Sequence, residues 1–527
     1  KRLNKRRGYL ETWVGELYLE LHRGTLTTHG LVKKQNRKLE WKLRSVEMLW
    51  SFVALREYPA EELEYIWKKL LINQFHDIIP GSSINLVYQT THKEYEEAHK
   101  RSDILLNKVT NILFDKDPDS FVLVNTLSYQ WKGAVKIPES FHGYELIDQN
   151  QKPVQLQKTD DNVLAAVNLD PISIRTFKKG KKQLLECKNS DNLILENDLI
   201  RYEFDSKGAL ISVYDKEIGK EFLIDSGNIL SLYEDRPNNW DAWDIDFFYR
   251  DALIEIGAVT KVSQINDGNV ISKIEFCYSI GVSKIDQVIS IQPHSKRIDF
   301  DTSVLWGEKH KMLRVHFPIN IKSDYASFDI QYGYVKRNTH RNTSWDKAKF
   351  EVVGHKYADL SDYDSGVALM NDCKYGYMVY DNILDLNLLR SPSNPDPDAD
   401  QGAHTFTYSL FPHNNDLIRS DVISESNCLN QEPILFEGFK SDFKVPLKVI
   451  GDGLELSVIK KAERLDQLII RIVETHGKKS TGIIKFSGEI IECDLLEWND
   501  IGKKIKIEKE YIISLSAFEI RTYRLKS

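Results

Sequence analysis

The hydrophobic pattern of this chain changes abruptly near residue 115, and this change limits the fold more than any other feature. Before it, apolar residues recur at spacings of three and four, as in the series Leu39, Leu43, Val46, Trp50 and Val53. This spacing places them on one face of an α-helix. After it, apolar and polar residues alternate in short runs that end in turn residues, which is typical of antiparallel β-strands. The sequence therefore predicts an α+β, multidomain protein.

Three helices are predicted in the first 115 residues, and together they form an N-terminal three-helix bundle. The first covers 33–58, the second covers 60–77, and the third lies within 83–114. Pro80 and Gly81 follow the second helix, where proline cannot continue the hydrogen-bond ladder and glycine takes the open turn. Short connections between antiparallel helices are the pattern of a small bundle.

From Phe121 to the end of the chain no helical stripe is found, so the rest is predicted to be antiparallel β-sandwich domains. About 400 residues of alternating pattern are too many for one sheet and indicate stacked sandwiches. The predicted division is a bundle over 1–115, a small β domain over 121–189, a large β-supersandwich over 190–430 and a C-terminal β-sandwich domain over 431–527.

Composition excludes several classes of function. The 527 residues are 41% hydrophobic and 28% charged, which is ordinary for a soluble globular protein. A net charge of −7 argues against nucleic acid as a partner. No apolar run approaches the roughly 20 residues of a membrane helix, so no membrane partner is expected.

The cysteines and the first residues bear on location. Five cysteines, at positions 187, 277, 373, 428 and 493, show neither metal spacing nor a disulfide framework. This favours a reducing, cytoplasmic compartment. The chain begins with Lys1 rather than Met, and the basic run 1–7 does not resemble a signal peptide. We therefore expect the chain to be the back part of a longer protein.

The tetrad Gln74-Phe75-His76-Asp77 is the first candidate site. If the second helix continues to residue 77, Gln74 and Asp77 extend its apolar stripe, whereas His76 points away from it. A polar side chain on a buried face needs partners, but a histidine off that face is free to bind a ligand. Two alternatives remain open: a surface or capping pair, or a metal ligand. Zinc needs three or four protein ligands, so metal partners of His76 would lie far away in sequence or outside the chain.

A second candidate site is the acidic, tryptophan-rich segment 234–246. Asp241, Trp243 and Asp244 lie in it close to Trp240. A tryptophan offers a flat apolar face on which a sugar ring can stack, and carboxylates accept hydrogen bonds from sugar hydroxyls. The alternative is a loop held by its tryptophans, with solvated acids.

A third candidate is the long irregular segment 390–402, because long loops without secondary structure are often functional. It begins with Arg390 and contains Asp400. Its alternating acids resemble the start of a calcium loop. The match fails at the sixth position, Gln401, and at the twelfth, Thr407. Calcium is therefore not expected.

Taken in order, these segments resemble the glycoside hydrolase family 38 α-mannosidases, most closely the bacterial branch. Any one segment is a weak match, but the ordered set is specific and covers nearly the whole chain. The matching stretches are GELYLELHRGT at 15–25, NQFHDIIPGSS at 73–83, NTLS at 125–128, DAWD at 241–244, WD at 345–346 with FE at 350–351, LLRSP at 388–392 with PDPDADQG at 395–402, and YSLFPH at 408–413.

The resemblance implies an architecture and a role for each candidate residue. Family members consist of an N-terminal α/β barrel, a three-helix bundle and β-sandwiches, and this chain is similar to the last two parts. In the family pattern the barrel carries the aspartate nucleophile, the acid/base carboxylate and three of the four zinc ligands, so no catalytic residue is expected in this chain. His76 matches the fourth zinc ligand. Asp77 matches an acid that contacts sugar hydroxyls. The resemblance also implies substrate contacts from loops of the β part, namely Asp241, Trp243, Asp244, Arg390 and Asp400.

The function implied is that of the C-terminal part of a zinc-dependent retaining exo-α-mannosidase, inactive alone, with Zn²⁺ as the cofactor of the complete enzyme. Its expected partners are an α-mannoside oligosaccharide substrate, the N-terminal barrel of the same enzyme and a second copy in a homodimer. The alternative function is a non-catalytic carbohydrate-binding or structural β-sandwich protein in which His76 is incidental.

Overall fold

The computed structural model describes Leu10 and residues 12–159, 162–185, 193–266 and 268–526, with the backbone alone for 264–266. The basic run 1–7, Cys187 and the predicted boundary near 188–192 lie outside these residues. The cysteines that are described are all free thiols, at positions 277, 373, 428 and 493. None of the helices within the described ranges has the length and apolar character needed to cross a membrane.

Three helices form the predicted bundle: α1 Gly30–Trp50, α2 Ala60–Asn73 and α3 Asn85–Leu113. Their buried faces carry the apolar residues that set the helical spacing, including Leu43 in α1 and Ile66 in α2, both fully buried. The indole of Trp50 donates a hydrogen bond to the carbonyl of Leu105 at 3.1 Å and joins α1 to α3.

Two predicted helix ends are wrong. The first helix ends at Trp50 instead of residue 58, because the N–H of Ser51 is shared between two preceding carbonyls and the chain then tightens into a turn. The second ends at Asn73 instead of residue 77. The side-chain amide of Asn73 donates to the carbonyl of Lys69 at 2.9 Å, and the following residues form turns. His76 therefore lies on an irregular loop rather than on a helix face.

The small β region is built from two sheets around a core that includes Phe121 and Trp131. The strands of this region are β1 Asp115–Asn125, β2 Trp131–Lys136, β3 Tyr144–Asp148, β4 Pro153–Val154, β5 Leu156–Lys158, β6 Val163–Leu169 and β7 Ser173–Lys182, together with β27 Ile434–Lys440 from later in the chain. One sheet has the strand order β27-β1-β7-β3-β4, and the other has the order β2-β6-β5.

The large β region contains sheets of four, six and nine strands, and a single apolar core joins them. Their orders are β11-β10-β9-β8, β13-β12-β18-β25-β24-β21 and β14-β15-β16-β17-β26-β23-β22-β19-β20. The strands are β8 Ile194–Glu196, β9 Ile200–Phe204, β10 Leu210–Asp215, β11 Lys220–Glu221, β12 Ile229–Glu234, β13 Leu253–Ile256, β14 Ala258–Asn266, β15 Ser272–Ile280, β16 Ser283–Ile291, β17 Ile298–Trp306, β18 Lys311–Pro318, β19 Tyr325–Ile330, β20 Gly333–Asn338, β21 Val352–Val353, β22 Tyr357–Ser361, β23 Ser365–Asn371, β24 Gly376–Tyr380, β25 Ile383–Arg390 and β26 Gly402–Asn414.

The C-terminal sandwich has two sheets, β28-β31-β34 and β29-β30-β35-β32-β33. Its core is continuous with that of the helical bundle, because Leu43 of α1 and Ile470 belong to one apolar cluster. Its strands are β28 Lys448–Ile450, β29 Leu454–Lys461, β30 Leu468–Glu474, β31 Ser480–Lys485, β32 Gly488–Cys493, β33 Ile505–Ile507, β34 Glu510–Leu515 and β35 Ile520–Lys526.

The strand β27 lies within the part proposed as 431–527, but it belongs to a sheet of the part proposed as 121–189. It pairs with β1 of the small β region, where Phe436 lies opposite Val122, instead of joining the C-terminal sandwich. The four-part division of the chain remains a proposal, and this strand marks where parts two and four are interwoven.

All strand pairs within the described ranges are antiparallel, which confirms the α+β architecture of a helical bundle followed by β-sandwiches. The expectation of no helix after Phe121 is wrong at two places, α4 Ser344–Ala348 and α5 Val422–Asn430. Both are too short to show a repeated stripe, and α4 is fixed by a capping box between Thr343 and Asp346.

Candidate functional site

Four segments that are distant in sequence meet at the N-terminal end of α1. They are the turn 23–30, the loop 74–84 after α2, the loop 240–246 and the loop 391–401. Hydrogen bonds link each of them to α1 or to one another. We call this region the α1 pole and include in it Lys33, Asp235 and Arg390, whose side chains join the segments. It contains all the site residues predicted from the sequence.

Asp400 supplies the cap that α1 lacks locally. Its carboxylate accepts the backbone N–H of His29 at 2.6 Å and of Gly30 at 2.7 Å. Nearby, the imidazole Nε2 of His29 lies 3.1 Å from the carboxylate of Asp396. Burial acts to raise the pKa of Asp396, but His29, the backbone N–H of Asp398 and the amide of Asn85 outweigh it and lower that pKa to about 2. Asp400 is buried, and in this structure its carboxylate caps the N-terminus of α1.

Arg390 is the centre of the α1 pole and is fully buried. Its guanidinium forms an ion pair with Asp235 at 2.7 Å. It donates to the carbonyls of Asp241, Ala242 and Asp244 at 2.9–3.1 Å. Burial raises the pKa of Asp235, and the charge of Arg390 opposes that shift. In this structure Arg390 offers no surface to a sugar, because its donors are used to hold the backbone of the loop 240–246.

The carboxylates of that loop are also engaged within the chain. Asp241 accepts the backbone N–H of Ser393 at 2.7 Å and of Asn394 at 3.0 Å. Asp244 is buried and pairs with Arg23 at 3.2 Å. These contacts connect the loop 240–246 to the loop 391–401 and to the turn at Arg23.

The turn at Gly24 fits closely against the same loop. The N–H of Gly24 donates to the carbonyl of Trp243 at 2.7 Å. A Cβ atom at Gly24 would collide with the guanidinium of Arg390, so only glycine fits there without displacement. Trp243 is half-buried, and its ring packs edge to face with the exposed ring of Trp240 at 5.9 Å. These two rings are the apolar surface that the sequence predicts for sugar stacking.

His76 lies on the outer part of the loop 74–84 and is exposed over 76% of its side chain. Its Nε2 atom lies 3.4 Å from the carboxylate of Asp77, which is 45% exposed. The second oxygen of Asp77 accepts the hydroxyl of Ser82 at 2.9 Å, and its carbonyl accepts the hydroxyl of Tyr88 at 3.2 Å. The position of Asp77 is therefore fixed by the loop and α3, whereas the imidazole remains accessible.

The residues present do not make a complete zinc site. A stable zinc site takes three or four ligands, and His76 and Asp77 offer at most two. Among the described residues, no group of three or more histidine, cysteine, aspartate or glutamate side chains is placed to hold a metal ion. His76 can act as a zinc ligand only together with groups from outside this set.

Several residues of the α1 pole were not predicted from the sequence: Thr28, His29, Lys33 and Asp235. Asp235 lies in the candidate segment 234–246, but nothing in its spacing distinguishes it from the other acids there, and its partner Arg390 is 155 residues away. Thr28 and Lys33 belong to no motif. Only a contact map could have identified them.

Three protein-family models match successive parts of this chain. The family model "Alpha mannosidase middle domain" matches residues 20–113. "Glycosyl hydrolases family 38 C-terminal domain" matches 195–398, and the family 38 "C-terminal beta sandwich domain" matches 453–523.

Two curated relatives match almost the whole chain. "Alpha-mannosidase 2C1" of Mus musculus is 33% identical over 99% of this chain and 51% of its own length. "Alpha-mannosidase G" of Dictyostelium discoideum is 33% identical over 100% of this chain and 54% of its own length. The chain therefore spans about half the length of these relatives.

A solved structure has the same fold over nearly all of the chain. The crystal structure of an alpha-mannosidase from Enterococcus faecalis V583 superposes with a TM-score of 0.80 at 17% identity, covering 99% of this chain and 71% of that one. This superposition shows the fold, whereas the three family models, their order along the chain and the curated relatives show that the chain belongs to glycoside hydrolase family 38, through its middle and C-terminal domains.

Proposed function

We propose that this chain is the C-terminal part of a zinc-dependent retaining exo-α-mannosidase that hydrolyses α-mannosidic bonds of glycans or oligosaccharides. The observation that carries the proposal is the placement of His76. Its imidazole is exposed on the loop 74–84, which follows α2 and is held by contacts with α1 and α3. Loops of the β region meet at the same α1 pole. An accessible imidazole beside a carboxylate is a suitable contribution to a shared metal site.

The proposed chemistry is retaining hydrolysis by two carboxylates, one as nucleophile and one as acid/base. This chain contributes His76 as one zinc ligand and Asp77 as an acceptor for sugar hydroxyls. The oxygen of Asp77 that faces His76 is free of the Ser82 contact, so it can accept a hydroxyl group. Arg390 and Asp400 act as positioning residues, because one holds the loop 240–246 and the other holds the start of α1.

The surface around His76 supports the presence of a covering domain. Large apolar side chains that precede and follow His76 in the sequence are exposed, and a concentration of exposed apolar side chains is typical of an interaction site. We propose that the N-terminal barrel of the same enzyme covers it, in a cytoplasmic protein that can also form a homodimer. The exposed residues are Leu71, Ile72, Phe75, Ile84 and Leu86.

The test uses the complete reading frame that encodes this chain. The change His76→Ala should lower kcat/KM on an aryl α-mannoside by more than about 100-fold and remove most of the bound zinc, because loss of a direct ligand exceeds the usual effect of outer-shell changes. His294→Ala is the matched control, since His294 is also exposed and also next to a carboxylate, that of Asp198 at 2.8 Å. Normal zinc content and rate in the His76 variant would refute the proposal.

A non-catalytic carbohydrate-binding function is the second candidate, and the exposed ring of Trp240 favours it. Trp240 adopts a φ of 64°, which is unusual for a bulky residue and holds the ring at the loop tip beside Trp243. In this case the chain alone would bind mannose oligosaccharides, and Trp240→Ala would abolish binding. Calorimetry with α-mannobiose distinguishes the two functions, because the first predicts little affinity without the rest of the enzyme.

A further inference from the structure

Lys33 is a buried lysine that lies between the helical bundle and the loop that carries His76. It belongs to the first turn of α1 and is only 4% exposed. Its ammonium donates to the carbonyl of Ile79 at 2.8 Å and, over a short distance, to the carbonyl of Thr28. Both acceptors are backbone groups, so the ammonium joins two stretches of main chain.

The Ile79 carbonyl belongs to the same turn as His76. The N–H groups of Ile78 and Ile79 both donate to the carbonyl of Phe75, at 2.9 and 3.3 Å. Phe75 directly precedes His76, and their rings are in contact with centroids 4.2 Å apart. A hydrogen bond that fixes the Ile79 peptide therefore also fixes the turn from which the imidazole projects.

The same end of the loop packs directly on Thr28. Gly81 has a φ of +91°, and a Cβ atom there would come within 2.5 Å of the Thr28 carbonyl oxygen. The hydroxyl of Thr28 in turn accepts a hydrogen bond from Arg390 at 3.0 Å. The tether at Lys33 thus connects the loop 74–84 to the residue that holds the loop 240–246.

Among the residues that the structure describes, no carboxylate forms an ion pair with the ammonium of Lys33. Burial lowers the pKa of Lys33 to about 7; Asp400 acts to raise it, and the neighbouring cations Lys374 and Arg390 lower it further. Lys374 and Arg390 are themselves buried. Burying an ammonium that is bonded to carbonyls costs more free energy than burying an apolar side chain. Here the ammonium of Lys33 connects the turn 23–30 to the loop 74–84.

We propose that Lys33 is a positioning residue for His76, because it holds the Ile79–Gly81 end of the loop against Thr28. This inference rests on the proposed function, in which His76 is a zinc ligand. Lys33 itself touches neither metal nor substrate. Its role is to keep the turn at 75–79 in one conformation, so that the imidazole is already placed when the remaining ligands bind.

The first measurement is hydrogen exchange on this chain, comparing Lys33→Met with Lys38→Met. Methionine has nearly the same length as lysine but cannot donate. Lys38 is on the same helix, half-exposed, and contacts Asp372 at 3.5 Å, so its variant is the matched control. We expect exchange of residues 76–83 to be at least about 10-fold faster in the Lys33 variant only, with α3 equally protected in both. Unchanged exchange of residues 76–83 would refute the tether.

The second measurement uses the complete enzyme. Lys33→Met should weaken zinc affinity, measured by competition with a chelator, and lower kcat/KM by about 10–100-fold, which is the range for residues that orient a metal ligand. Faster exchange with unchanged zinc affinity and rate would refute the positioning role and leave the proposed function intact. An unaffected His76→Ala enzyme would instead refute the proposed function and the positioning role together, while exchange would still report on the tether.

A second variant covers the case in which Lys33→Met does not fold. Gly81→Ala disturbs the other half of the same contact without removing the buried charge, because its Cβ atom would collide with the Thr28 carbonyl. It should speed exchange of residues 76–83 and weaken zinc affinity in the same direction. If Gly81→Ala leaves both unchanged, the contact with Thr28 does not position His76 and the inference is wrong.

Discussion

Asp400 caps helix α1 at Gly30, although the two residues are separated by 370 positions in the sequence. The side chain of His29, which occupies the N-cap position, makes no capping hydrogen bond of its own. The first N–H groups of a helix have no partner within the helix, and a negative charge next to them is favourable. A loop of the large β region therefore completes a helix of the bundle, so these two parts of the chain stabilise each other.

The first prediction concerns this cap. Asp400→Ala should lower the free energy of unfolding by about 1–3 kcal/mol, because it removes two hydrogen bonds to buried N–H groups at a helix end. The urea midpoint of the purified chain measures the effect. Asp398→Ala is the control, since the Asp398 side chain is 67% exposed and its ion pair within the described part of the chain is a long one, with Lys309 at 3.8 Å. Equal midpoints for the two variants would contradict the assigned cap.

The second prediction concerns the buried pair of Arg390 and Asp235. Arg390→Met should destabilise the protein by about 3–5 kcal/mol, since it leaves the buried carboxylate of Asp235 without a countercharge and the three carbonyls without a donor. Asp235→Asn should be comparably harmful. The double variant should cost less than the sum of the single changes, because each single change leaves one buried charge unpaired. Additive effects in thermal unfolding would show that the pair is not coupled.

The third prediction is a pH dependence. Burial raises the pKa of Glu47 to about 7, with opposing effects of Lys460 and of the Trp67 indole, which donates to it at 3.2 Å. A carboxyl with a higher pKa in the folded state binds its proton more tightly there, so stability falls as pH rises from 4.5 to about 7. Glu47→Gln removes this loss. It should stabilise the protein by about 1–2 kcal/mol at pH 8 and have little effect at pH 4.5.

Thermal unfolding at the two pH values tests this, with Glu96→Gln as the control. Glu96 is an exposed residue of α3, and its replacement should have the same small effect at both pH values. A Glu47 variant whose stability difference from the native chain does not change between pH 4.5 and pH 8 would show that folding does not raise the pKa of Glu47.

The bundle and the β-sandwiches could be predicted because their signals are local. The spacing of Leu39, Leu43 and Val46 reflects one buried helix face, and all three are fully buried. Helix ends were less predictable. Apolar residues continue past Trp50 and Asn73, so the pattern overran both ends, and the stops are set by side-chain and turn hydrogen bonds that periodicity does not reveal.

The sequence identifies the candidate loops, but it does not predict which groups their side chains contact. Arg390 and Asp400 have the chemistry of ligand-binding groups, and the sequence gives no sign that they are buried. Their partners, Asp235 and the N–H of Gly30, are 155 and 370 positions away. A long-range pair of this kind follows from the tertiary fold, whereas the side chain of His76 remains 76% exposed.

The last prediction is that this chain alone hydrolyses no aryl α-mannoside. A retaining mechanism needs two carboxylates that are free to act as nucleophile and acid/base on either side of the bond. Five acids of the α1 pole are already engaged, although Asp77 keeps one free oxygen: Asp235 by Arg390, Asp241 by two backbone N–H groups, Asp244 by Arg23, Asp396 by Asn85, and Asp400 by the start of α1.

Purified chain with added zinc should therefore show no turnover of p-nitrophenyl α-mannoside above a preparation made in parallel from cells carrying an empty vector. Activity that co-purifies with the chain and disappears in Asp241→Asn or Asp244→Asn would contradict this. It would mean that an acid held by the backbone in this structure is released to act on the sugar, and that the catalytic carboxylates lie within the β region itself.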